Sequence, residues 1–192
     1  PRWVTKLDGM FAFVLATPER IIAARDPLGI KPLFMARIGD GLAFASELKA
    51  YDGLGLSAVE TIDPGAMFDS IDGFREWYRM PQGAAELEAG EDAEPIWREL
   101  RLVLEAAVRK WMVADVEVGA FLSGGLDSSL IAALAAGATD RPLKTFSVGT
   151  TASPDLAAAR SMAKHIGSDH HELVFSADDL VEILPHVIYH LE

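Results

Sequence analysis

The chain has 192 residues, of which 50% are hydrophobic and 24% are charged, values typical of a globular protein. Its formal net charge is −12 and its basic residues form no cluster, which disfavours nucleic acids and anionic membranes as partners. There is no cysteine, which excludes disulfides, thiolate zinc sites and a cysteine nucleophile among these residues. No apolar run approaches the roughly 18 residues that span a bilayer, and no signal-peptide pattern is present, so a cytoplasmic location is expected.

Short apolar runs separated by turn residues occupy the first 78 residues. They include 10–15, 21–24 and 42–46, and a short helix is predicted from Glu47. Because these runs lack helical spacing, they predict an antiparallel sheet whose strands are buried on both faces, as in a layered sandwich.

One polar stretch, at residues 25–29, interrupts these runs. Asp26 precedes a proline and favours a turn, and Gly29 supplies a positive φ. Arg25 can pair with a carboxylate. These features favour a structural turn over a catalytic site.

Four stretches share their order and spacing with a known domain. Residues 7–13, 25–33, 44–50 and 62–65 followed by Trp77 and Tyr78 resemble the back half of the class II glutamine amidotransferase domain, an α+β domain of the Ntn-type antiparallel sandwich. In that family the cysteine nucleophile and the glutamine-binding residues lie upstream of the stretch corresponding to 7–13. The resemblance therefore implies no glutaminase catalytic residue here, only scaffold and one wall of an ammonia passage.

Residues 81–95 are rich in Gly, Pro, Ala and acidic residues and are predicted to form an exposed linker. A metal site could be imagined from the acidic residues, but a charge run in a linker is usually solvated. Those residues are Glu86, Glu88, Glu91, Asp92 and Glu94.

From Pro95 onward, predicted helices alternate with predicted strands. The first helix places its apolar positions on one face, and Trp97 and Trp111 are interpreted as packing groups. Further helices are predicted at 129–136, through Ile166 and from Ala177, with strands before Ser123, at 143–149 and at 171–175. Residues 153–155 are expected to cap the helix that ends at Ile166, with Pro154 in its first turn and Gly167 just past its end. This alternation predicts a parallel α/β sheet, whose ligands bind beyond the carboxyl ends of the strands.

The sequence Ser-Gly-Gly-Leu-Asp-Ser-Ser at 123–129 lies between a predicted strand and a predicted helix. A helix N-terminus favours anions, glycines allow close approach of the backbone, and Asp127 could hold a divalent cation bridging phosphates. The chain has neither G-x-x-x-x-G-K-[ST] nor G-x-G-x-x-G at this point, which excludes a kinase-type P-loop and disfavours a dinucleotide turn. A Gly-Gly turn with a helix cap is the structural alternative, but the flanking elements favour pyrophosphate binding.

This motif resembles the PP-loop of the ATP pyrophosphatase family, with its adenine-nucleotide α-hydrolase-like fold. Residues 112–119, 146–149, 153–160, 170–172 and 187–192 extend the resemblance to the synthetase domain of the glutamine-dependent asparagine synthetases. The resemblance implies that Leu122 and Val148 contact the adenosine of ATP, through the backbone or through apolar contact. It also implies that the pyrophosphate and Mg²⁺, the latter ligated by Asp127, are held by Ser123, Gly124, Gly125, Asp127 and Ser128.

The same resemblance implies a reaction, an assembly and a domain organisation. ATP would activate the side-chain carboxylate of aspartate as an acyl adenylate, and glutamine-derived ammonia would then attack it. A homodimer is implied, with an incomplete amidotransferase domain at 1–80, a linker at 81–95 and an incomplete synthetase domain at 96–192.

Because the chain begins at Pro1 and ends inside a predicted helix, we expect a segment of a longer protein. Two alternatives stay open: an enzyme of the same scaffold acting on another carboxylate, such as a β-lactam synthetase, and a non-catalytic nucleotide-binding module.

All five histidines lie in the last thirty residues. His186 and His190 have a spacing that zinc sites use, but no H-E-x-x-H is present, so an exposed helix face is the favoured interpretation. His170 and His171 stand near the predicted crevice, where packing or capping is the expected role.

Overall fold

The computed structural model describes residues 3–56, 58–83 and 92–191. Most of the predicted linker, including Glu86, Glu88 and Glu91, lies outside the described residues. The chain divides into two compact units: unit 1 comprises Pro1–Ala85 and His186–Glu192, and unit 2 comprises Glu86–Pro185. No helix in the described ranges is long and apolar enough to cross a membrane.

Unit 1 contains two antiparallel sheets, as the alternating runs and turns predict. Its strands are β1 (Ala12–Ala16), β2 (Ile21–Arg25), β3 (Phe34–Ile38), β4 (Gly41–Ala45), β5 (Val59–Thr61), β6 (Ala66–Asp69) and β7 (Gly73–Glu76). One sheet has the order β1-β2-β6-β7 and the other has the order β4-β3-β5. The short helix predicted from Glu47 is a 3₁₀ helix, Leu48–Tyr51.

The core of unit 1 lies between these sheets and on the outer side of the four-stranded one. Ala23 and Phe68 from the first sheet pack with Met35 from the second, whereas Ala24 and Met67 face a separate cluster with Val4. The prediction of strands buried on both faces is therefore confirmed for β2. It is wrong for β1, which lies at the edge of its sheet and leaves several side chains exposed.

The polar stretch at 25–29 is a structural turn, as predicted. Asp26 is only 1% exposed, and its carboxylate accepts hydrogen bonds from the backbone N–H groups of Phe11, Leu28, Ile30 and Lys31. The suggested pairing of Arg25 with a carboxylate is wrong, because its guanidinium donates to the backbone carbonyls of Gly29, Lys31 and Ile62. Since the turn leaves these carbonyls without strand partners, Arg25 satisfies them instead.

Unit 2 is built around a parallel sheet, again as predicted. Its elements are α1 (Glu94–Trp111), β8 (Gly119–Phe121), α2 (Leu126–Ala136), β9 (Lys144–Gly149), α3 (Pro154–Ile166), β10 (Asp169–Val174) and the first part of α4 (Ala177–Leu191). The strand order is β10-β9-β8, with both pairings parallel. Leu122, Ala132 and Ala159 share one core, so α2 and α3 both cover the sheet face that carries Leu122.

Three details of the predicted helices differ from the structure. The helix α2 begins at Leu126, not 129, because the chain turns at Gly124 and Gly125 and enters the helix directly. The helix α3 starts at Pro154 and stops before Gly167 as predicted, but the side chain of Ser153 makes no capping hydrogen bond. In α1 only Val108 is buried, and Trp97 is 57% exposed, so its interpretation as a packing group does not hold.

We predict that Asp26→Asn destabilises unit 1 by about 2 to 3 kcal/mol. Both carboxylate oxygens of Asp26 accept backbone hydrogen bonds, whereas an asparagine amide has only one oxygen that can accept them. Burial alone raises the pKa of Asp26, but four backbone hydrogen bonds outweigh it and hold that pKa below its ordinary value. The stabilisation is therefore complete above the ordinary pKa and is lost as the pH falls through the folded pKa. Urea unfolding at about pH 7 and about pH 3 should show the difference between wild type and variant shrinking in acid.

The exposed turn residue Asp40 provides the matched control, since Asp40→Asn removes a carboxylate that is not buried. Equal unfolding free energies for the two variants at neutral pH would contradict the structural role of Asp26.

Candidate functional site

Residues 122–125 connect β8 to α2 and lie directly against α3. Gly124 has φ +78°, and a Cβ atom built there would lie 2.5 Å from Ala158 Cβ and 2.6 Å from the backbone nitrogen of Ala159. Gly125, the N-cap of α2, has φ −72° and would meet only Ser123 Oγ, at 3.5 Å. The first glycine is therefore required by the fold, and the second leaves the backbone open to approach from outside.

The hydroxyl groups of the loop bond to one another across the turn. Ser123 Oγ and Ser128 Oγ are 2.9 Å apart, and Ser128 Oγ also accepts from the backbone nitrogen of Ser123 at 3.3 Å. Ser128 donates to the carbonyl of Gly125 at 3.3 Å, and the backbone nitrogen of Gly125 donates to Ser123 Oγ at 3.4 Å. The loop thus closes on itself and holds both hydroxyls at its exposed surface.

The N-terminus of α2 opens at the same place. The first helical hydrogen bond runs from the nitrogen of Ser129 to the carbonyl of Gly125, at 3.0 Å. The N–H groups of 126–128 precede it and have no acceptor within the helix, so their partial positive charge favours an anion. Asp127 stands exposed in this first turn.

The structure places Leu122 and Val148 differently. Leu122 is 1% exposed and belongs to the core; its nitrogen donates to the carbonyl of Phe146 at 2.8 Å, and its carbonyl accepts from Ser147 Oγ. This burial disfavours Leu122 as an apolar ligand contact. Val148 is 54% exposed at the end of β9. The bonds of Leu122 to β9 bring Ser123 and Val148 to the same edge of the sheet.

The acidic and histidine side chains of the described ranges form no group of three or more that could hold a metal ion. His186 and His190 therefore have no third ligand there. Mg²⁺, by contrast, is commonly held by one or two carboxylates together with substrate phosphates and waters. Asp127 beside the open N-terminus of α2 fits a Mg²⁺–phosphate group of that kind.

The histidines near the sheet have packing roles, as expected. His170 Nδ1 lies 2.9 Å from the hydroxyl of buried Thr145. The ring of His171 stacks on Phe146 with centroids 5.3 Å apart.

Two residues that contact the loop, Ser147 and Ala158, escaped sequence reasoning, as did the nearby ion pair of Arg160 with Glu172. The buried Ser147 hydroxyl donates to the carbonyl of Leu122, immediately before the loop. The only available signal was a polar residue at an inward position of the predicted strand 143–149. No local pattern pointed to Ala158 or to the ion pair.

The fold and the loop define the class: an α/β domain with an anion-favouring turn at the carboxyl edge of a parallel sheet, preceded in the chain by an antiparallel unit. Residues 99–192 match the protein-family model described as asparagine synthase, and residues 1–52 match the one described as glutamine amidotransferase domain.

Curated relatives agree with both matches. The chain is 35% identical to "Asparagine synthetase [glutamine-hydrolyzing]" of Bos taurus, over 98% of this chain and 39% of the relative. It is 39% identical to "Asparagine synthetase [glutamine-hydrolyzing] 3" of Arabidopsis thaliana, over 99% of this chain and 34% of the relative. The chain is thus similar to glutamine-hydrolysing asparagine synthetases over nearly its whole length, and it spans less than half the length of these relatives.

A solved structure titled "Structure of the allosteric regulatory enzyme of purine biosynthesis" is also similar, with a TM-score of 0.36 and 18% identity. The match covers 89% of this chain and 48% of that one. A TM-score this low supports no conclusion about the site.

We predict that Gly124→Ala destabilises unit 2 by about 3 kcal/mol or more, because positive φ and a steric clash with α3 both act against the new methyl group. Gly167 supplies the control, since it has φ +68° but open space around its Cβ position. Gly167→Ala should cost only about 1 to 2 kcal/mol, the price of the left-handed conformation. Urea unfolding measures the free energy of unfolding of both variants, and equal decreases would show that α3 does not constrain the loop.

Proposed function

We propose that unit 2 binds ATP with Mg²⁺ at the loop of residues 122–128. The observation that carries this proposal is the exposed, anion-favouring N-terminus of α2, which the Gly124 turn holds against α3. The phosphates would contact the loop and the first turn of α2, and Asp127 would ligate the Mg²⁺. The phosphate-contacting residues would be Ser123, Gly124, Gly125, Asp127 and Ser128.

The adenosine would lie beside the exposed end of β9. Val148 is accessible there and would supply the apolar contact. Leu122 would act through its backbone position, because its side chain is buried and its N–H and carbonyl are already bonded to β9.

For the whole protein we infer amidation of aspartate to asparagine with glutamine-derived ammonia. A carboxylate is a poor electrophile, and transfer of AMP to it supplies a good leaving group. The aspartate oxygen would attack the α-phosphorus of ATP, expelling pyrophosphate and forming β-aspartyl-AMP. Ammonia would then attack the acyl carbon and displace AMP.

The role of this chain in that reaction is to bind the departing pyrophosphate. The N–H groups of α2 and the hydroxyls of Ser123 and Ser128 stand where negative charge would increase, and such preorganised donors stabilise it. When bound, Mg²⁺ would neutralise phosphate charge as a Lewis acid. The loop carries no P-loop lysine, which accords with cleavage between the α and β phosphates.

The organisation around this site is proposed from the similarity to these relatives. Residues 1–80 would form the back half of an Ntn-type amidotransferase domain, contributing scaffold and one wall of the ammonia passage but no glutaminase catalytic residue. Residues 81–95 would be a linker, and 96–192 would be the first part of a PP-loop synthetase domain. A homodimer and a cytoplasmic location remain predictions.

Two other functions are tested by the same measurements. Another enzyme on this scaffold would activate a different carboxylate, and a non-catalytic module would bind ATP without turnover. The motif retains every hydroxyl and the carboxylate that pyrophosphate binding requires, which favours an active enzyme.

We predict that the full-length protein binds ATP·Mg²⁺ and that Asp127→Asn weakens this binding about tenfold, because it removes the carboxylate available to the cation. Isothermal titration calorimetry measures the dissociation constants. Asp155→Asn is the matched control, since Asp155 is an exposed acid in the first turn of α3. No binding by the wild type, or equal weakening in both variants, would overturn the proposed site.

The acceptor is tested by isotope exchange. The full-length protein should incorporate labelled pyrophosphate into ATP only when aspartate is present, because reversal of adenylation requires the acyl adenylate. Exchange supported by another carboxylate but not by aspartate would indicate the alternative enzyme. ATP binding with no exchange for any carboxylate would indicate the non-catalytic module.

A further inference from the structure

We propose that Arg160 and Glu172 are positioning residues for the nucleotide loop: their ion pair holds α3 on the sheet, and α3 in turn shapes the loop at Gly124. The inference rests on the proposed ATP site and assigns to that site two residues that do not touch it.

The first step is the contact between the strand-end loops and α3. A Cβ at Gly124 would meet Ala158 and Ala159, and a Cβ at Gly149 would lie 3.1 Å from Leu156 Cγ. The loops that follow β8 and β9 therefore both lie against the N-terminal half of α3. A small displacement of this helix would remove the surface against which the Gly124 turn is folded.

The second step is what fixes α3. Immediately after Ala159, the Arg160 guanidinium makes a bidentate pair with the Glu172 carboxylate on β10, through Nε–Oε1 and Nη2–Oε2 distances of 2.7 Å each. Bidentate charge-assisted bonds constrain orientation as well as distance. The pair thus joins α3 to the sheet within two residues of Ala158.

The third step is the support behind Glu172, whose side chain is only 18% exposed. His170 Nε2 lies 3.3 Å from Glu172 Oε1, and its Nδ1 contacts the hydroxyl of Thr145, a fully buried residue of β9. Thr145 also bonds to Ser168 at 2.8 Å. The carboxylate that holds Arg160 therefore lies beside a largely buried ring that Thr145 holds in place, although His170 Nε2 itself makes no hydrogen bond to any described residue.

Because the Arg160 side chain is 57% exposed, the pair should contribute little to stability, which separates this role from a general structural one. Loss of the pair should leave the protein folded while α3 gains freedom beside the loop. The expected signature is a change in ATP affinity that exceeds the change in stability.

The experiment uses the full-length protein and measures the dissociation constant of ATP·Mg²⁺ by calorimetry together with urea unfolding. Arg160→Gln and Glu172→Gln should each weaken binding about threefold to tenfold, and the double variant should be no weaker than either single one, because both remove the same interaction. Arg160→Lys keeps the charge but not the planar fork and should restore only part of the affinity. Arg101→Gln, which breaks the exposed Arg101–Glu105 pair of α1, is the control and should bind as wild type.

A second pair of variants tests the contact between α3 and the Gly124 turn. Ala158→Val adds bulk where the loop packs and should weaken binding about tenfold, whereas Ala157→Val makes the same change at the neighbouring exposed position and should not.

The outcomes separate this inference from the proposed function. If the wild type fails to bind ATP·Mg²⁺, the proposed function itself fails. If the wild type binds and the Arg160, Glu172 and Ala158 variants bind equally well, or the double variant shows the sum of two independent losses, the positioning role is wrong.

Discussion

The close approach of the Gly124 turn to α3 is the constraint on which the candidate site depends. Because no side chain fits between them, the chain must leave β8 through a left-handed residue and enter α2 at once. That geometry exposes the first-turn N–H groups at the carboxyl edge of the sheet and sets both loop hydroxyls beside them. The anion-favouring character of the site is therefore a consequence of helix-against-loop packing, with small residues on both sides of the contact.

Each unit contains a tight turn beside a sheet, and the two turns are held by different chemical groups. In unit 2 the turn beside the sheet is held by steric contact and by hydroxyl groups, which leaves its backbone donors accessible. In unit 1 the turn at 25–29 is held by a buried carboxylate and a guanidinium that consume the turn's own donors and acceptors. Asp69 is buried in the same unit, and hydrogen bonds led by the one from Ile71, together with Arg20, hold its pKa below the ordinary value. A turn whose polar groups are satisfied internally suits a scaffold, and a turn with free donors suits a ligand.

Much of the fold was predictable because it depends on local patterns. Short runs with turn residues predicted the antiparallel sheets, strand-helix alternation predicted the parallel sheet, and Pro154 with Gly167 marked the ends of α3. The predictions were wrong where the outcome depended on a tertiary contact. Arg25 met carbonyls instead of a carboxylate, and Trp97 stayed exposed although α1 has an apolar face.

The sequence by itself determined the chemistry of the loop, since the order of glycine, acid and hydroxyl residues between a strand and a helix sets which groups can meet a phosphate. Motifs spread over both units also indicated the similarity to the asparagine synthetases. Only the tertiary structure decided that Gly124 and not Gly125 is sterically required, and that Leu122 is buried. It likewise decided that Arg160 meets Glu172. These facts depend on which atoms of α3, β9 and β10 lie against one another and against the loop, and such contacts join residues too far apart in the chain for any local pattern to record them.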